Sequence, residues 1–297
     1  MGGCKMGGKL LIAGGGLEEN EKKIHKKLIE LAGGIENRLA IIPTASGEAP
    51  VNTIKNVEDI WLEIGMKKEN IVLLPIFGEE GKGWREPPLG DEENILKLLE
   101  GVTGVWFTGG DQYYTHKAFI RKDGAHTKAL SRLKEIYEKG GVIGGTSAGA
   151  AIMSEVMIAS GNNMNALNLP PVYGYEDYDD SDENQDYVRI VKGLGFFTEG
   201  VIDQHFDRRP RILRLIKAIT DSHKDLYMGY GVSEDTAMIY DRDTKDMEVI
   251  GGGAVYIVDC SKIEKSPNTF TTFKNVTFHV IKEGDMYNHQ VDKLILK

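Results

Sequence analysis

Short apolar runs alternate with amphipathic stretches over the first two-thirds of the chain. The apolar runs are rich in β-branched residues and about five residues long, as strands are, while the stretches between them carry apolar residues at helical spacing. Strands and helices in alternation predict an α/β fold with a mostly parallel sheet and helices on both faces. The predicted strands are 9–13, 39–43, 71–75, 104–108 and 141–144, and the predicted helices are 20–31, 51–65, 92–99 and 128–138.

The last third of the chain has a different pattern, in which short strands follow one another across turns. These strands are expected at 236–241, 247–250, 254–258 and 276–281. No linker-like stretch separates them from the alternating part, so we interpret them as a C-terminal antiparallel extension of the same domain. The prediction is one domain over residues 1–297, with a loose tail at 1–8.

Composition and charge exclude several classes of function. With 41% hydrophobic and 27% charged residues, the chain has the balance of an ordinary globular protein. No apolar run approaches the roughly 20 residues that cross a bilayer. The N-terminus also lacks a signal-peptide cleavage pattern, so we expect a cytoplasmic protein with no membrane partner. The net charge of −9 comes without a basic stripe, which argues against nucleic-acid binding. Cys4 and Cys260 form no CxxC pair, so neither a disulfide framework nor a structural zinc site is expected.

A serine nucleophile is predicted at Ser147. The segment Gly145-Thr146-Ser147-Ala148-Gly149 matches the GxSxG pattern, in which small residues let a strand turn sharply into a helix. Such a turn projects the serine hydroxyl above the sheet. An apolar strand precedes the segment and a compact helix start follows it, as the pattern requires. The alternative interpretation is a serine that only caps the helix.

A second glycine turn lies in Phe107-Thr108-Gly109-Gly110-Asp111-Gln112, which closes one strand and opens a helix. Two adjacent glycines let backbone amides approach a ligand closely, as an oxyanion hole requires. The equal alternative is a tight strand-to-helix turn in which Asp111 caps the helix.

His205 is the best candidate for the base that a serine nucleophile needs. It ends a short apolar strand, 201–206, and so lies at the carboxyl end of that strand. Asp203 is too close in sequence for easy triad geometry, whereas Glu234 follows another short apolar segment and is the better orienting acid. The resulting order, Ser, His, Glu, differs from the Ser, acid, His order of lipases and esterases. Of the other histidines, His116 is a second candidate for the site, His279 is expected to be structural, and His25, His126, His223 and His289 are expected at the surface.

An arginine row predicts an acidic substrate. The row follows the candidate base within nine positions and consists of Arg208, Arg209, Arg211 and Arg214. Guanidinium groups bind carboxylates through a planar fork of donors, which is why such a row beside a base indicates substrate carboxylates. The alternative is a solvated helix face. The acidic segment 176–186 is interpreted as an exposed loop, and it is also a candidate to receive a substrate guanidinium.

Together these segments resemble the cyanophycinases. That family of serine peptidases has a class I glutamine-amidotransferase-like fold and is grouped with aspartyl dipeptidases. The similarity runs from the first strand to Gly251-Gly252-Gly253-Ala254-Val255, and its most specific part is Asp203-Gln204-His205-Phe206 with the arginines that follow. The resemblance implies an exopeptidase that acts on cyanophycin, a polyaspartate whose side-chain carboxyls carry arginine, and releases β-aspartyl-arginine dipeptides.

The resemblance also implies a role for each matching residue. Ser147 would be the nucleophile, His205 the base and Glu234 the orienting acid. The amides of Gly110 and Ala148 would form the oxyanion hole. The substrate site would be lined by Gln112, Asp203, Gln204, Arg209, Arg211 and Arg214. Arg208 falls outside the three arginine positions of the family and is not assigned to the site. No cofactor and no metal are expected, and a homodimer is the expected assembly, which no residue pattern by itself specifies.

Two other functions are compatible with the same residues. A peptidase for short aspartyl or isoaspartyl peptides would use the same arginines. Only a comparison of its turnover of the polymer with its turnover of dipeptides would distinguish it from a cyanophycinase. A non-catalytic protein that binds acidic ligands would leave its serine unreactive toward a fluorophosphonate probe. A glutamine amidotransferase is disfavoured, because that chemistry on this fold uses a cysteine where this chain has Ser147.

Overall fold

The computed structural model describes residues 7–47, 50–77, 93–175, 187–222, 224–266 and 272–295. Cys4, His223 and the acidic segment 176–186 lie outside the described residues, and so do the predictions made for them. Of the expected N-terminal tail, Gly7 and Gly8 are described, and Gly8 is buried against the side chain of Tyr137. The expectation of one domain over the whole chain stays a prediction.

The larger sheet combines a parallel half with an antiparallel half. The parallel half is, in spatial order, β1 (Lys9–Ala13), β5 (Val142–Thr146), β4 (Val102–Phe107), β2 (Arg38–Ile42) and β3 (Ile71–Leu73). On its other side β1 pairs with the antiparallel half, which is β11 (Thr236–Asp241), β12 (Asp246–Gly251), β17 (Met286–Asn288) and β18 (Lys293–Ile295). The parallel half consists of the alternating strands that the sequence predicts.

A second sheet, which the sequence pattern did not predict as a separate unit, packs against the first. Its spatial order is β16 (Thr277–Lys282), β13 (Ala254–Asp259), β10 (Met228–Val232), β9 (Val201–Asp203), β6 (Val156–Ser160), β8 (Arg189–Lys192) and β7 (Val172–Tyr173). The strands β6, β9 and β10 run parallel to one another in its centre. A small hairpin is formed by β14 (Glu264–Lys265) and β15 (Phe273–Lys274).

Eight α-helices are present in the described part of the chain. They are α1 (Glu21–Leu31), α2 (Val51–Ile64), α3 (Glu93–Leu98), α4 (Gln112–Phe119), α5 (Lys128–Glu138), α6 (Ala148–Ala151), α7 (Asn163–Asn168) and α8 (Ile212–Asp221). Two short 3₁₀ helices are also present, Thr44–Ser46 after β2 and Lys68–Asn70 before β3. None of the described helices is long and apolar enough to span a membrane.

The α/β class is confirmed, but the expectation of a mostly parallel sheet is partly wrong. Among the described strands of the larger sheet, four neighbouring pairs are parallel and four are antiparallel. The short turn between Asp241 and Asp246 can join only antiparallel strands, so β11 and β12 must extend the sheet in that sense. The antiparallel extension is also divided, because β13 and β16 join the second sheet. The length and period of a run identify a strand but not the sheet that it enters.

Alternation along the central strand β1 divides the core into two layers. Leu11 and Ala13 face α1 and α2, where they join an apolar cluster with Leu28 and Trp61. Leu10 and Ile12 face the opposite way, into the cluster that fills the space between the two sheets. A third cluster packs α8 and α7 against the far face of the second sheet. Because successive side chains of a strand point to opposite faces, β1 is buried on both sides.

His25 is buried, and its expected surface position is therefore wrong. It is 1% exposed, and its Nδ1 accepts a hydrogen bond of 3.0 Å from Trp61 Nε1. The centre of its ring lies 4.5 Å from that of Trp106, with the two rings tilted by 58°. The lysines that flank it in sequence face solvent because of the helical period, which turns His25 toward the sheet. Burial lowers the pKa of His25 to about 3. His289, which was also expected at the surface, is half-buried and forms a hydrogen bond of 2.7 Å with the hydroxyl of Tyr230.

Candidate active site

The turn at Ser147 lies between β5 and α6 and has an unusual backbone. Ser147 has φ 54° and ψ −113°, a conformation that L-residues rarely adopt and that is typical of a nucleophile elbow. A Cβ atom at Gly145 would lie 2.5 Å from the carbonyl oxygen of Gly149, and one at Gly149 would lie 2.4 Å from the carbonyl oxygen of Phe107. Both small residues of the pattern are therefore required by the close approach of backbone segments.

Ser147 stands in the N-cap position of α6 but does not act as its cap. In the described structure its side chain makes no capping hydrogen bond. Its hydroxyl lies 2.8 Å from His205 Nε2 instead. The interpretation as a mere helix cap is therefore not supported.

Three side chains form one continuous hydrogen-bonded chain. His205 Nδ1 lies 2.6 Å from Glu234 Oε1, and His205 Nε2 lies 2.8 Å from Ser147 Oγ. A carboxylate can only accept, so the hydrogen of the neutral imidazole is on Nδ1, which donates to Glu234. Nε2 then carries a lone pair and accepts the hydrogen bond that the serine hydroxyl donates. The geometry is that of a nucleophile, a base and an orienting acid.

The environment of His205 keeps the imidazole neutral. Burial lowers the pKa of His205 below its usual value, and the charges of Arg209 and Arg211 lower it further, while the hydrogen bond to Glu234 acts in the opposite direction. The residue is only 9% exposed, which is why desolvation has the largest effect on its pKa. A base that is unprotonated near neutral pH can take a proton from the serine without first losing one.

The loop that follows β1 holds the triad together and was not recognised from the sequence. The carbonyl of Gly14 accepts a hydrogen bond of 2.7 Å from the amide of His205, and that of Gly15 accepts one of 2.9 Å from the amide of Asp235. A Cβ at Gly15 would lie 2.3 Å from the His205 ring, and one at Gly16 would lie 2.6 Å from Glu234 Oε2. The triplet of glycines after an apolar strand was the signal in the sequence that could have identified this loop.

Of the two expected oxyanion-hole residues, Ala148 follows Ser147 directly and Gly110 lines the same cavity as Ser147. A Cβ atom at the neighbouring Gly109 would lie 3.3 Å from the Cβ of Ser147, so the glycine turn reaches the serine. Gly110 has φ 138° and its Cα approaches the carbonyl of Ala45 so closely that no larger residue fits. Asp111 also accepts a hydrogen bond of 2.8 Å from the amide of Tyr113, so the turn caps α4 as well.

Asp203, Gln204, Arg211 and Arg214 form a buried network beneath the cavity. Arg214 binds both carboxylate oxygens of Asp203, at 2.8 and 2.5 Å, and donates to the carbonyl of Gly161 at 2.6 Å. Arg211 donates to the side-chain oxygen of Gln204 and lies 3.6 Å from Asp203. These two guanidinium groups are therefore neutralised in part by Asp203, and their charges are held in fixed positions.

Arg209 differs from the two buried arginines. It is exposed, lines the cavity beside His205, and pairs with no carboxylate among the described residues. Arg208, which was not assigned to the site, lies 4.0 Å from the second carboxylate oxygen of Glu234, but its side chain is largely exposed. Gln112 donates its amide hydrogens to the carbonyls of Ile158 and Ala159, which fixes its side chain at the rim of the cavity.

These residues surround a cavity of about 420 Å³. Asp203, Glu234 and Ala148 lie behind its surface, and His116 lies at a different cavity. The lining residues that sequence reasoning did not identify come from the end of β6, from the loop that follows it and from α7. No cluster of three His, Cys, Asp or Glu side chains that could hold a metal ion occurs in the described part of the chain. The wall consists of Gly110, Asp111, Gln112, Ser147, Ala159, Ser160, Gly161, Asn162, Asn165, Gln204, His205, Arg209, Arg211 and Arg214.

Comparison with known proteins agrees with this geometry. Residues 10–247 match the family model of Peptidase family S51. The chain is 31% identical over 294 residues to the cyanophycinase of Synechococcus elongatus and to that of Thermosynechococcus vestitus. Each of these alignments covers 95% of this chain and 80% of the relative. It is 30% identical over 290 residues to the cyanophycinase of Geminocystis herdmanii, covering 95% and 93% of the two chains.

A solved structure supports the fold independently of close sequence similarity. The crystal structure of a peptidase from an acI-B1 Actinobacterium superposes with a TM-score of 0.61 at 19% identity, over 96% of this chain and 98% of that one. The family match, the relatives and the fold lead to one conclusion: this chain belongs to peptidase family S51 and is a serine-type peptidase.

Proposed function

We propose that the chain is an exopeptidase that hydrolyses cyanophycin to β-aspartyl-arginine dipeptides through an acyl-enzyme on Ser147. The observation that carries the proposal is the hydrogen-bonded chain from Ser147 through His205 to Glu234, which faces a cavity with arginines on its wall. The relatives at about this level of identity are named cyanophycinases, which supports the polymer as substrate.

Acylation would proceed by general-base catalysis. Ser147 Oγ attacks the carbonyl carbon of an aspartyl peptide bond while its proton passes to His205 Nε2. The negative charge that develops on the carbonyl oxygen would be stabilised by the amides of Gly110 and Ala148, each donor contributing roughly 3 kcal/mol in the transition state. The imidazolium then gives its proton to the leaving amine nitrogen, the carbon–nitrogen bond breaks, and Glu234 stabilises the transient positive charge.

Deacylation would repeat the same steps with water. His205 takes a proton from a water molecule, whose oxygen attacks the ester carbonyl. The carbon–oxygen bond to Ser147 breaks as His205 returns the proton to the serine oxygen, and the dipeptide leaves with a new carboxylate. Every proton that leaves one group in this sequence is received by another, so no cofactor is required.

The arginines support an acidic substrate in two different ways. Arg209 is exposed and without a carboxylate partner among the described residues, so it is the group best placed to bind a substrate carboxylate directly. Arg211 and Arg214 share the charge of Asp203, and they contribute a fixed positive potential at the floor of the cavity. The rim residue Gln112 would position the substrate through polar contact.

Turnover of the polymer and of a short peptide tests the proposal. The purified protein is incubated with insoluble cyanophycin and, separately, with β-aspartyl dipeptides, and the soluble products are identified by mass. Release of β-aspartyl-arginine from the polymer supports the proposal. Cleavage of short isoaspartyl peptides without any release from cyanophycin would assign the enzyme to the short-peptide peptidases instead.

Replacing Ser147 by alanine tests the nucleophile. We expect a loss of roughly 10⁶-fold in kcat, because the members of a triad act as a unit. Labelling by a fluorophosphonate probe should disappear in the same variant. A loss of less than about tenfold would contradict the assignment.

The assembly and the location of the protein stay predictions. We expect a homodimer, which light scattering coupled to gel filtration would measure, and a cytoplasmic location, which fractionation of the source cells would measure.

A further inference from the structure

A second cavity of about 1000 Å³ lies next to the active-site cavity and shares two elements with it. Gln112 of α4 and Ala159 of β6 line the smaller cavity, while His116 of α4 and Val156 of β6 line the larger one. One helical turn separates the two residues of α4, and about 10 Å of extended strand separates the two residues of β6. We call the larger cavity, around Tyr113, His116, Lys117, Tyr175 and Lys192, the distal cleft.

Within the described part of its wall, the distal cleft carries mostly cationic side chains, although the protein as a whole is acidic. The chain has a formal net charge of −9. In the described wall of the cleft, Glu155 is the carboxylate, and it already pairs with Lys224 at 2.9 Å. The cationic side chains of that wall are Lys117, Arg121, Lys122, Lys192 and Lys224. Clustered cationic side chains attract acidic groups.

Two of these lysines are available to a ligand. Lys192 donates to the carbonyl of Gly124 at 2.8 Å and pairs with no carboxylate in the described structure. The ammonium of Lys117 lies 5.9 Å from the ring centre of Tyr113 and likewise has no carboxylate partner among the described residues. A ligand carboxylate would therefore not have to displace an existing ion pair at either position.

Aromatic rings also line the cleft. The rings of Tyr113 and Tyr175 lie 5.0 Å apart, and the ring of His116 lies 4.8 Å from that of Tyr175. Burial lowers the pKa of His116, and its Nδ1 donates to the carbonyl of Lys192 at 2.8 Å, so the ring adds no charge to the wall. Guanidinium groups stack on aromatic rings. A ligand that carries both carboxylates and guanidinium groups matches this combination of lysines and aromatic rings.

We propose that the distal cleft binds the part of an arginyl-polyaspartate chain that continues beyond the residues in the active site. This inference rests on the proposed function, because it takes the substrate class from there. Each unit of that polymer carries one guanidinium and one carboxylate, which the aromatic rings and the lysines bind respectively. The active-site cavity of about 420 Å³ holds the residues at the cleaved end, and the neighbouring cleft holds the following units. The distal cleft thereby favours polymers over dipeptide-sized substrates.

A double substitution of Lys117→Gln and Lys192→Gln tests the cleft. The substrates are a soluble oligomer of many β-aspartyl-arginine units and the smallest cleavable one, which has two units. We expect kcat/KM for the oligomer to fall about tenfold, through a higher KM, while the two-unit peptide is cleaved as by the wild type. The difference should shrink at high salt, because exposed charges are screened. The matched control is Lys26→Gln with Lys262→Gln, which removes the same charge from exposed positions elsewhere.

The outcomes separate the cleft from the proposed function. Equal kcat/KM for the oligomer in the cleft variant and in the control would overturn the inference, and so would equal losses for both substrates. If the wild type cleaves neither substrate, the proposed function fails. Binding of the fluorescently labelled oligomer to Ser147→Ala protein, with and without the two cleft substitutions, then measures the cleft by itself. Weaker binding in the cleft variant supports the inference, and unchanged binding overturns it.

Discussion

Replacing Gly15 by alanine should remove most of the peptidase activity while leaving the protein folded. Gly15 has φ 94°, and a Cβ atom there would lie 2.3 Å from Cε1 and 2.4 Å from Nε2 of His205. Since carbon atoms in contact are about 3.5–4.0 Å apart, the imidazole ring must move by about 1 Å. That movement breaks the hydrogen bonds of His205 to Ser147 and Glu234, at 2.8 and 2.6 Å. A misplacement of this size costs about 10²-fold in rate, or about 2.7 kcal/mol of activation free energy.

Gly34→Ala is the matched control for this variant. Gly34 has φ 100°, close to that of Gly15, but an added Cβ meets no atom within 4 Å. Both variants should therefore lose about 1–2 kcal/mol of unfolding free energy from backbone strain, measured by urea denaturation. Only Gly15→Ala should lose activity, measured as kcat/KM on a peptide that the wild type cleaves. If the two variants differ by less than about threefold in kcat/KM, the argument that this glycine makes room for the ring is refuted.

Three further predictions concern charge and burial. Arg209→Gln removes a positive charge that lowers the pKa of His205. The acidic limb of the profile of kcat/KM against pH should therefore move to higher pH, and an acidic limb at the wild-type position would contradict this prediction. His25 is neutral in the fold, with its pKa lowered from 6.5 to about 3, so the unfolded state binds more protons below pH 6.5. The wild type should accordingly lose about 2 kcal/mol of stability between about pH 7 and pH 5 that His25→Gln does not lose, and parallel urea curves would refute the burial argument. Asp203→Asn leaves the buried Arg214 without its carboxylate and should cost about 3–5 kcal/mol of unfolding free energy, whereas a loss below about 1 kcal/mol would show that the pair is dispensable.

The local sequence pattern was sufficient to predict the elements whose apolar residues recur regularly along the chain. The five parallel strands of the larger sheet fall within a few residues of the predicted runs, because a strand buried on both faces is a continuous apolar run wherever it pairs. The candidate residues Ser147, His205 and Glu234 were also accessible, since each follows an apolar run. Ser147 follows β5 of the larger sheet, whereas His205 and Glu234 follow β9 and β10 of the second sheet, so only the packing of the two sheets brings the three side chains together.

Features that depend on contacts between distant segments could not be read from the chain. His25 lies between lysines in sequence, and only the packing of α1 against Trp61 and Trp106 decides that it is buried. The row of arginines appears uniform in sequence, yet Arg214 is held by Asp203 while Arg209 has no such partner among the described residues. Side chains with the same chemistry thus have different roles because their surroundings differ in burial and in charge.

The sequence by itself determined the strand and helix order of the parallel half, the GxSxG turn and the order of the three candidate catalytic residues, since each depends on residues adjacent in the chain. The tertiary structure decided which strands form the second sheet and how the loop of Gly14, Gly15 and Gly16 supports the triad. It also decided that α4 and β6 form a wall common to two cavities. The strands of the second sheet pair with partners from other segments of the chain, and Gly15 lies 190 positions from the His205 ring that it contacts, so local period carries no information on either.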